Sequence, residues 1–279
     1  MGINSSAVKV LIKESQARKF QGSILTLGKQ DIFINENELI GIYEEYSYEH
    51  QKEGSGIERL SRKPELAKSS LISDDFLFGT LGFDIVKSSD ASDYEGADLI
   101  VDLNSNGIPE DLNEKFDVIF DGGTFEHVFH VPNAFNNVFK MLKPGGRIIH
   151  IAPSSNHIDH GFYMFSPTLF WDYYNANKFD INTAQVFRYD VNNIYGGKWE
   201  VSEYIPGSLV RVSLGGLDDG IYGVIIVATK NNFSTGDVIP QQGLYQNKKW
   251  NGTEGKDPQI NQIKDFKGKG LGLMVDEYL

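Results

Sequence analysis

Short apolar runs recur along the first 230 residues, and segments with apolar residues at helical spacing lie between them. The runs predict strands at residues 23–28, 83–88, 97–101, 116–120, 147–152, 181–188 and 221–229. The helical spacing predicts helices at residues 5–20, 36–46, 74–81, 132–142 and 166–177. This alternation predicts an α/β fold with a mostly parallel sheet, because parallel strands need a crossover that is usually a helix.

The clearest unit of this pattern runs from residue 115 to residue 165. Its strand at 116–120 ends in the polar, flexible sequence DGG, and Pro132 suits the first turn of the following helix. The sequence KPGG at 143–146 predicts the end of that helix, and a second strand follows. Ligands bind outside the carboxyl ends of parallel strands, so functional residues are expected after Phe120 and after Ala152.

Composition narrows the function classes. A chain of 279 residues with 40% apolar residues suffices for one large domain with extensions, or for two small ones. A net charge of −12 argues against non-specific binding to nucleic acid or anionic membranes. The absence of cysteine excludes disulfides, thiolate metal sites and cysteine nucleophiles. No apolar run resembles a signal peptide or a membrane span, so a cytoplasmic location is expected.

Two stretches of the central unit carry a family resemblance. FDVIFDGGTFEHV and MLKPGGRIIHIAP resemble the fourth-to-fifth-strand region of class I S-adenosylmethionine-dependent methyltransferases. HGFYMFSPTLFW resembles a subgroup of bacterial sugar and small-molecule methyltransferases. The resemblance spans about residues 23–230 and is strongest over 97–179. It implies a Rossmann-like sheet of about seven strands, the last two commonly an antiparallel hairpin.

The rest of the chain divides into further segments. Its apolar spacing predicts an N-terminal helix in residues 1–22, which could be a lid or a packing helix. The resemblance implies a methyltransferase-like domain in residues 23–230. Residues 34–73 are expected to be an inserted excursion, and 190–220 an insertion before the last strand. Residues 231–279 form a polar tail that we expect to be partly disordered.

The first loop departs most from the family pattern. Gly28 is retained, where glycine lets the backbone approach the cofactor. Thr26 stands where an acidic residue is usual, and Gln30 and Ile32 stand where glycines are expected. Lys29, Gln30 or Asp31 could replace the lost contacts through their side chains. A plain strand-to-helix turn is the alternative.

The resemblance implies further cofactor contacts at the ends of later strands. By position, Asp90 would accept hydrogen bonds from the ribose hydroxyls, although it could also cap a turn, and Asp93 and Glu95 could compete with it. The remaining implied contacts are Asp102 and Leu103 with the adenine, and Asp121 and Gly122 near the methionine end.

The loop after the fifth strand is the expected acceptor site. His160 and His157 stand there, before the aromatic residues Phe162, Tyr163 and Phe165. A neutral imidazole is a suitable general base for a hydroxyl proton, and aromatic faces can hold a sugar.

Other roles stay open for these side chains. Asp121 is a third candidate base. The spacing of His157 and His160 permits a metal site with Glu126 or Asp121, or a structural role, and we predict no metal. His127 could be catalytic or held structurally, and His150 is expected to be a packed core residue.

Together these features predict methyl transfer from S-adenosylmethionine to a small molecule, with a sugar or glycan-precursor hydroxyl as the expected acceptor. No nucleic-acid or membrane partner is expected, and a homodimer stays open. The alternative is a non-catalytic binding or assembly protein that has lost the cofactor, which the altered first loop favours. A nucleotide-sugar enzyme using a dinucleotide is less favoured, because no G-x-G-x-x-G follows the first strand.

Overall fold

One mixed sheet organises the protein. The computed structural model describes residues 2–51, 58–193, 197–210, 212–213, 215–243 and 277–279. The strands are β1 Ser23–Leu27, β2 Ile85–Asp90, β3 Leu99–Ile100, β4 Phe116–Asp121, β5 Leu142–Pro153, β6 Asp180–Tyr189, β7 Glu200–Glu203, β8 Ile221–Thr229 and β9 Glu277–Tyr278. The helices are α1 Ser5–Ala17, α2 Glu36–Glu45, α3 Pro64–Lys68, α4 Asp74–Leu81, α5 Val131–Met141 and α6 Pro167–Ala176. None of these helices is both long and apolar enough to span a bilayer.

The strand order across the sheet is β3-β2-β1-β4-β5-β8-β6-β7-β9. Neighbours from β3 to β5 are parallel, whereas β8 runs antiparallel to both β5 and β6. Seven of the nine strands in the described part of the chain run in one direction, since only β7 and β8 are reversed. The predicted Rossmann-like α/β fold, with an antiparallel hairpin-like end, is confirmed.

The sheet has nine strands where about seven were predicted. The two additions are β7 and β9, which extend the edge beyond β6. β7 falls inside the predicted insertion at residues 190–220. β9 comprises only two residues, and such a short pairing leaves no periodic pattern in the sequence.

Each face of the sheet carries its own apolar core. Alternate residues of β1 illustrate this, because Ile24 packs with α1, α2 and α4 whereas Leu25 packs with α5 and α6. The N-terminal helix is therefore a packing helix rather than a lid: Val8, Leu11 and Ile12 are fully buried in the first core. Asn4 caps its first turn by accepting a hydrogen bond from the Ala7 N–H.

The boundary between α5 and β5 differs from the predicted one. The KPGG sequence does not separate α5 from a strand starting at residue 147, because β5 already begins at Leu142. A register shift in the pairing with β4, between Phe116 and Val118, absorbs these residues within the sheet.

The inserted segment and the tail are only partly described. Residues 34–73 contain α2 and α3. Residues 231–243 contact α6, where the Tyr173 hydroxyl donates to the carbonyl of Gly236 and the Asn177 amide donates to the carbonyl of Val238. Residues 244–276 lie outside the described residues, so the disorder predicted for the tail remains a prediction, as do the domain limits.

Candidate active site

A cavity of about 360 Å³ opens at the carboxyl ends of the parallel strands. It lies where the strand order reverses between β1 and β4, the usual ligand position in open α/β sheets. Its volume is within the ~300–1,000 Å³ typical of small-molecule sites. Six predicted cofactor residues line this first cavity: Gly28, Lys29, Asp90, Asp102, Leu103 and Gly122.

Backbone rather than side chains borders this cavity at two positions. Gly28 has φ +72°, in the left-handed region, and an added Cβ would come within 3.0 Å of the Thr124 hydroxyl. At Gly122 an added Cβ would lie 2.5 Å from the Phe120 ring and 2.6 Å from Gln30 Oε1. Packing therefore requires glycine at these positions, because a side chain would collide with Thr124 at the first and with Phe120 and Gln30 at the second.

The two residues that replace expected glycines leave the first cavity open. The Gln30 side chain folds back onto its own loop, where Nε2 donates to the carbonyls of Leu27 and Gly28 at 3.0 and 3.2 Å. Its Oε1 is buried and has no donor among the described residues, although Gln30 lines the cavity. Ile32 packs into the hydrophobic core instead.

Acidic side chains dominate the charge of the first cavity. Asp90 ends β2, and its carboxylate has no hydrogen-bond donor in the part of the chain that the structure describes. Asp102 Oδ1 accepts hydrogen bonds from the backbone N–H and side-chain amide of Asn104, at 2.9 and 3.1 Å, which lowers the pKa of Asp102. Glu95 adds a third carboxylate.

A second cavity, of about 480 Å³, adjoins the first. Lys29 and Glu95 line both of them, and the Lys29 ammonium also forms a buried ion pair with Asp74 at 2.9 Å. The other lining residues are Gly2, Asn4, Asp31, Phe33, His157, His160, Tyr189, Trp199 and Ile221. The second cavity therefore has aromatic walls and several polar groups.

Two buried polar atoms of the second cavity's residues have no partner among the described residues: Nε2 of His157 and Nε1–H of Trp199. Burial lowers the pKa of His157 to about 4, so its imidazole is neutral at pH 7. The wall thus offers one hydrogen-bond acceptor and one donor. A buried polar atom without a partner is costly, so a polar ligand here would satisfy both.

Glu126, His127 and His160 come together between the two cavities. Glu126 is fully buried, and neither carboxylate oxygen has a hydrogen-bond partner in the described structure. Its Oε1 lies 3.6 Å from His160 Nε2 and 3.9 Å from His127 Nε2. His127 lines the first cavity and His160 the second, with their ring centroids 5.2 Å apart.

Burial sets the protonation of this group. It raises the pKa of Glu126 to about 8, with the nearby charge of Asp121 adding to the effect. Burial also lowers the pKa of His127 and of His160, so both imidazoles are neutral at pH 7. His127 therefore presents a neutral imidazole to the first cavity and His160 presents one to the second, with the buried Glu126 carboxyl beside both.

Asp121 lies behind the first cavity rather than in its wall. Its Oδ1 accepts hydrogen bonds from the backbone N–H groups of Thr124 and Phe125, at 2.9 and 3.2 Å. Its Oδ2 is 2.7 Å from His150 Nδ1, and His150 Nε2 is 2.6 Å from the Tyr174 hydroxyl. All of these side chains are buried, so the geometry favours a role for Asp121 in holding the loop, not in contacting cofactor or acceptor.

The aromatic residues expected at the acceptor site lie elsewhere. Phe162 is largely exposed, Phe165 is in the core, and the Tyr163 hydroxyl donates to the carbonyl of Phe129. The aromatic wall instead comes from Phe33, Tyr189 and Trp199, as given above. Phe33 lies beyond the end of β1, Tyr189 ends β6 and Trp199 immediately precedes β7, and no local motif connects them with the histidine loop.

The comparisons with known proteins support the methyltransferase reading of one segment. Residues 83–150, from the approach to β2 through most of β5, match the family model described as a methyltransferase domain. This segment is similar to that family, and the match covers 68 of the 279 residues. The resemblance predicted from the sequence is confirmed there, while its sugar-modifying subgroup is not tested. No curated protein matches the chain.

Solved structures show only distant likeness. A Burkholderia thailandensis 1,6-didemethyltoxoflavin-N1-methyltransferase, with its substrate and S-adenosylhomocysteine bound, has 12% identity and TM-score 0.40 over 82% of this chain and 78% of that one. A geranyl diphosphate methyltransferase in complex with SAM has 11% identity and TM-score 0.40, over 81% of this chain and 85% of that one. An Archaeoglobus fulgidus SAM-dependent methyltransferase has 10% identity and TM-score 0.39, over 81% of this chain and 94% of that one. Likeness at this level carries nothing about substrate.

Proposed function

We propose that this protein transfers a methyl group from S-adenosylmethionine to a small-molecule acceptor, namely a hydroxyl of a sugar or glycan precursor. The observation that carries the proposal is the adjacency of two cavities at the carboxyl edge of the sheet. They share Lys29 and Glu95, and they meet at His127 and His160. A donor in one cavity and an acceptor in the other would face each other there.

The first cavity fits the cofactor. Gly28 and Gly122 contribute main-chain atoms to its wall. The unpaired carboxylate of Asp90 can accept hydrogen bonds from two ribose hydroxyls, and the unpaired Gln30 Oε1 can accept from an ammonium group. The excess of carboxylates favours a ligand with a cationic centre. When bound, the cofactor supplies a methyl group already activated by its sulfonium.

The protein then mainly has to align the acceptor and take its proton. Holding reactants in line can lower the barrier by several kcal/mol, on the order of 7 or more. His157 and His160 both line the second cavity and are neutral at pH 7, so either can accept the proton of an acceptor hydroxyl.

The second cavity supports a polar ring-shaped acceptor. The aromatic faces of Tyr189 and Trp199 can pack on the apolar face of a sugar, while Trp199 Nε1–H and His157 Nε2 can bind its hydroxyls. Asp31 adds an acceptor for further hydroxyl groups. A purely apolar acceptor would leave these polar groups unsatisfied.

Calorimetric titration with S-adenosylmethionine and S-adenosylhomocysteine tests the cofactor site. We expect micromolar binding, weakened at least tenfold by Asp90→Ala and by Asp102→Ala. Asp93→Ala is the matched control, since this exposed acid lies close in the chain but outside the cavity wall, and it should bind as the wild type does. No heat with either ligand would refute the enzyme and favour a binding protein on a methyltransferase-like scaffold.

Product formation tests the acceptor class. S-adenosylhomocysteine release would be measured with panels of free sugars, nucleotide sugars and amine acceptors. Turnover with hydroxylated sugars, reduced by Trp199→Phe through loss of the indole N–H, supports the proposed class. Turnover confined to amines would support the methyltransferase and reject the sugar.

A further inference from the structure

The cluster at the junction of the two cavities has the composition of a metal site. We propose that Glu126, His127 and His160 bind one divalent transition-metal ion of the zinc type. The spacing in the sequence permits a different site, formed by His157 and His160 with Glu126 or Asp121, and no metal was predicted. Only the fold brings His127 and His160 to the same carboxylate.

The distances suit a shared ion. Ligand atoms that each lie ~2.1 Å from one ion are at most about 4.2 Å apart. Glu126 Oε1 lies 3.6 Å from His160 Nε2 and 3.9 Å from His127 Nε2, both within that limit. All three ligand atoms are within 4.8 Å of one another, so a small rotation of the two exposed imidazoles completes the site.

A second observation that supports a metal site is the lack of hydrogen bonds to the buried carboxyl group of Glu126. Its side chain is fully buried, yet neither oxygen accepts a hydrogen bond from any described residue. At 3.6 Å or more, the imidazoles are too far for hydrogen bonds. A buried carboxyl without a partner is unfavourable in its charged form, so it holds a proton unless a cation pairs with it or a metal binds it. The side chain lies near two imidazole nitrogens, and no group among the described residues satisfies its oxygens.

The backbone positions these ligands. Glu126 and His127 share the single 3₁₀ turn Phe125–His127, which follows β4. The carbonyl of Glu126 accepts hydrogen bonds from the N–H groups of Phe162 and Tyr163, at 2.8 and 3.2 Å. These bonds tie the loop after β5 to the turn and bring His160 over the carboxylate.

The ligand types select the metal. Two imidazoles and one carboxylate favour zinc-like ions over Mg²⁺ and Ca²⁺, which prefer oxygen ligands. Three protein ligands also leave at least one coordination position open, as in catalytic zinc sites. Because His160 lines the second cavity, that position is accessible to a molecule bound there.

A role in catalysis rests on the proposed function. An acceptor oxygen in the open position would be polarised and its hydroxyl made more acidic. That oxygen would then bond to the methyl carbon as the carbon–sulfur bond breaks, leaving its electron pair on sulfur. His160 would be engaged as a ligand, so the hydroxyl proton would pass to His157, whose ring centroid is 5.6 Å from that of His160.

Metal binding is tested directly on the full chain after removal of metals with a chelator. The protein is titrated calorimetrically with ZnCl₂, MgCl₂ and CaCl₂, and with CoCl₂ as an optical probe. We expect one Zn²⁺ per chain with micromolar or tighter affinity, Co²⁺ absorption bands in the visible range, and at least a hundredfold weaker binding of Mg²⁺ and Ca²⁺.

Variants locate the site. Glu126→Gln and His160→Asn should each weaken Zn²⁺ binding at least tenfold and abolish the Co²⁺ bands. His130→Asn removes an exposed imidazole outside the cluster and should change neither. Circular dichroism verifies that each variant is folded. Wild-type protein that binds no Zn²⁺, or variants that bind it as tightly as the wild type, would overturn the proposal.

The same metal-free samples separate this proposal from the proposed function. Binding of S-adenosylhomocysteine without binding of Zn²⁺ would reject the metal site and keep the methyltransferase. Binding of Zn²⁺ without either cofactor form would keep the metal site and reject the methyltransferase.

Discussion

The buried chain from Asp121 through His150 to Tyr174 should behave as one hydrogen-bonded unit. A carboxylate only accepts hydrogen bonds, so His150 Nδ1 carries the proton and donates to Asp121 Oδ2. His150 Nε2 then accepts from the Tyr174 hydroxyl. Each polar group in this chain is satisfied, and none is exposed to water. The perturbations are Asp121→Asn and Tyr174→Phe, alone and together.

Each single change leaves one polar group unpaired. Tyr174→Phe strips the donor from His150 Nε2, at a cost of about 1–2 kcal/mol. With Asp121→Asn, the new amide can donate to Nδ1 only if the imidazole proton moves to Nε2. Nε2–H then donates to the Tyr174 oxygen, whose own hydrogen is left without an acceptor. Loss of charge-assisted bonds to the loop makes this change costlier, about 2–3 kcal/mol.

The double variant again leaves only one unpaired group, the Nε2–H of His150 facing the new phenylalanine. We therefore expect a loss of about 2–3 kcal/mol, well below the ~3–5 kcal/mol sum of the two single losses. Urea unfolding followed by tryptophan fluorescence gives these free energies, with Tyr173→Phe as control. The Tyr173 hydroxyl is also buried but donates only to the carbonyl of Gly236.

Two results would refute this reasoning. Additive losses in the double variant would mean that the three side chains are not coupled. A folded, fully stable Asp121→Asn variant with turnover lowered a hundredfold or more would instead identify Asp121 as a base, contrary to its buried position. We expect cofactor affinity in the folded variant to change less than fivefold.

Further predictions concern single side chains. Gln30→Ala should weaken cofactor binding about tenfold in calorimetry, because the cavity loses its free amide oxygen; tighter binding would mean that Gln30 obstructs the site. Burial lowers the pKa of His157 from 6.5 to about 4, so unfolding free energy should fall by on the order of 1 kcal/mol as the pH drops from 6.5 to 4, after allowance for partial exposure. In urea unfolding across this range, His157→Asn should remove that part of the slope. Asp74→Asn leaves the buried Lys29 ammonium without its counter-charge and should lower stability by about 3 kcal/mol in urea unfolding, whereas a loss below 1 kcal/mol would show the pair to be solvated.

The sequence predicted what local patterns determine. The last strand was predicted at residues 221–229 and is observed as Ile221–Thr229, because an uninterrupted apolar run is typical of a strand buried on both faces. The helix predicted from residue 166 is observed as α6, and Ser166 caps it by accepting a hydrogen bond from the Thr168 N–H. Most predicted cofactor residues line the first cavity, since strand ends are set by the same local signals.

Contacts between distant segments could not be predicted in this way. Glu126 and His160 meet because the loop after β5 folds over the turn after β4, and no spacing in the sequence encodes that. Trp199 reaches the second cavity from the predicted insertion. Asp121 follows a strand as a ligand-contacting acid would, but its position beside His150 turns it inward. Side-chain direction at a strand end depends on neighbours that a single sequence does not reveal.

Asp121 and Glu126 make an informative contrast. Both are completely buried, Asp121 at the end of β4 and Glu126 in the turn that follows it. Both carboxylate oxygens of Asp121 have hydrogen-bond partners, whereas those of Glu126 have none among the described residues. The hydrogen bonds that Asp121 accepts from the N–H groups of Thr124 and Phe125 fix the backbone immediately before Glu126. These hydrogen bonds therefore stabilise the backbone that holds the unsatisfied carboxyl group of Glu126 in place. The charge of Asp121 nevertheless makes ionisation of Glu126 harder. The well-bonded backbone and the unsatisfied side chain that it carries are in conflict, and such conflicts are expected at functional sites. A cation bound to Glu126 would resolve it, because its positive charge would offset both the burial of Glu126 and the repulsion from Asp121.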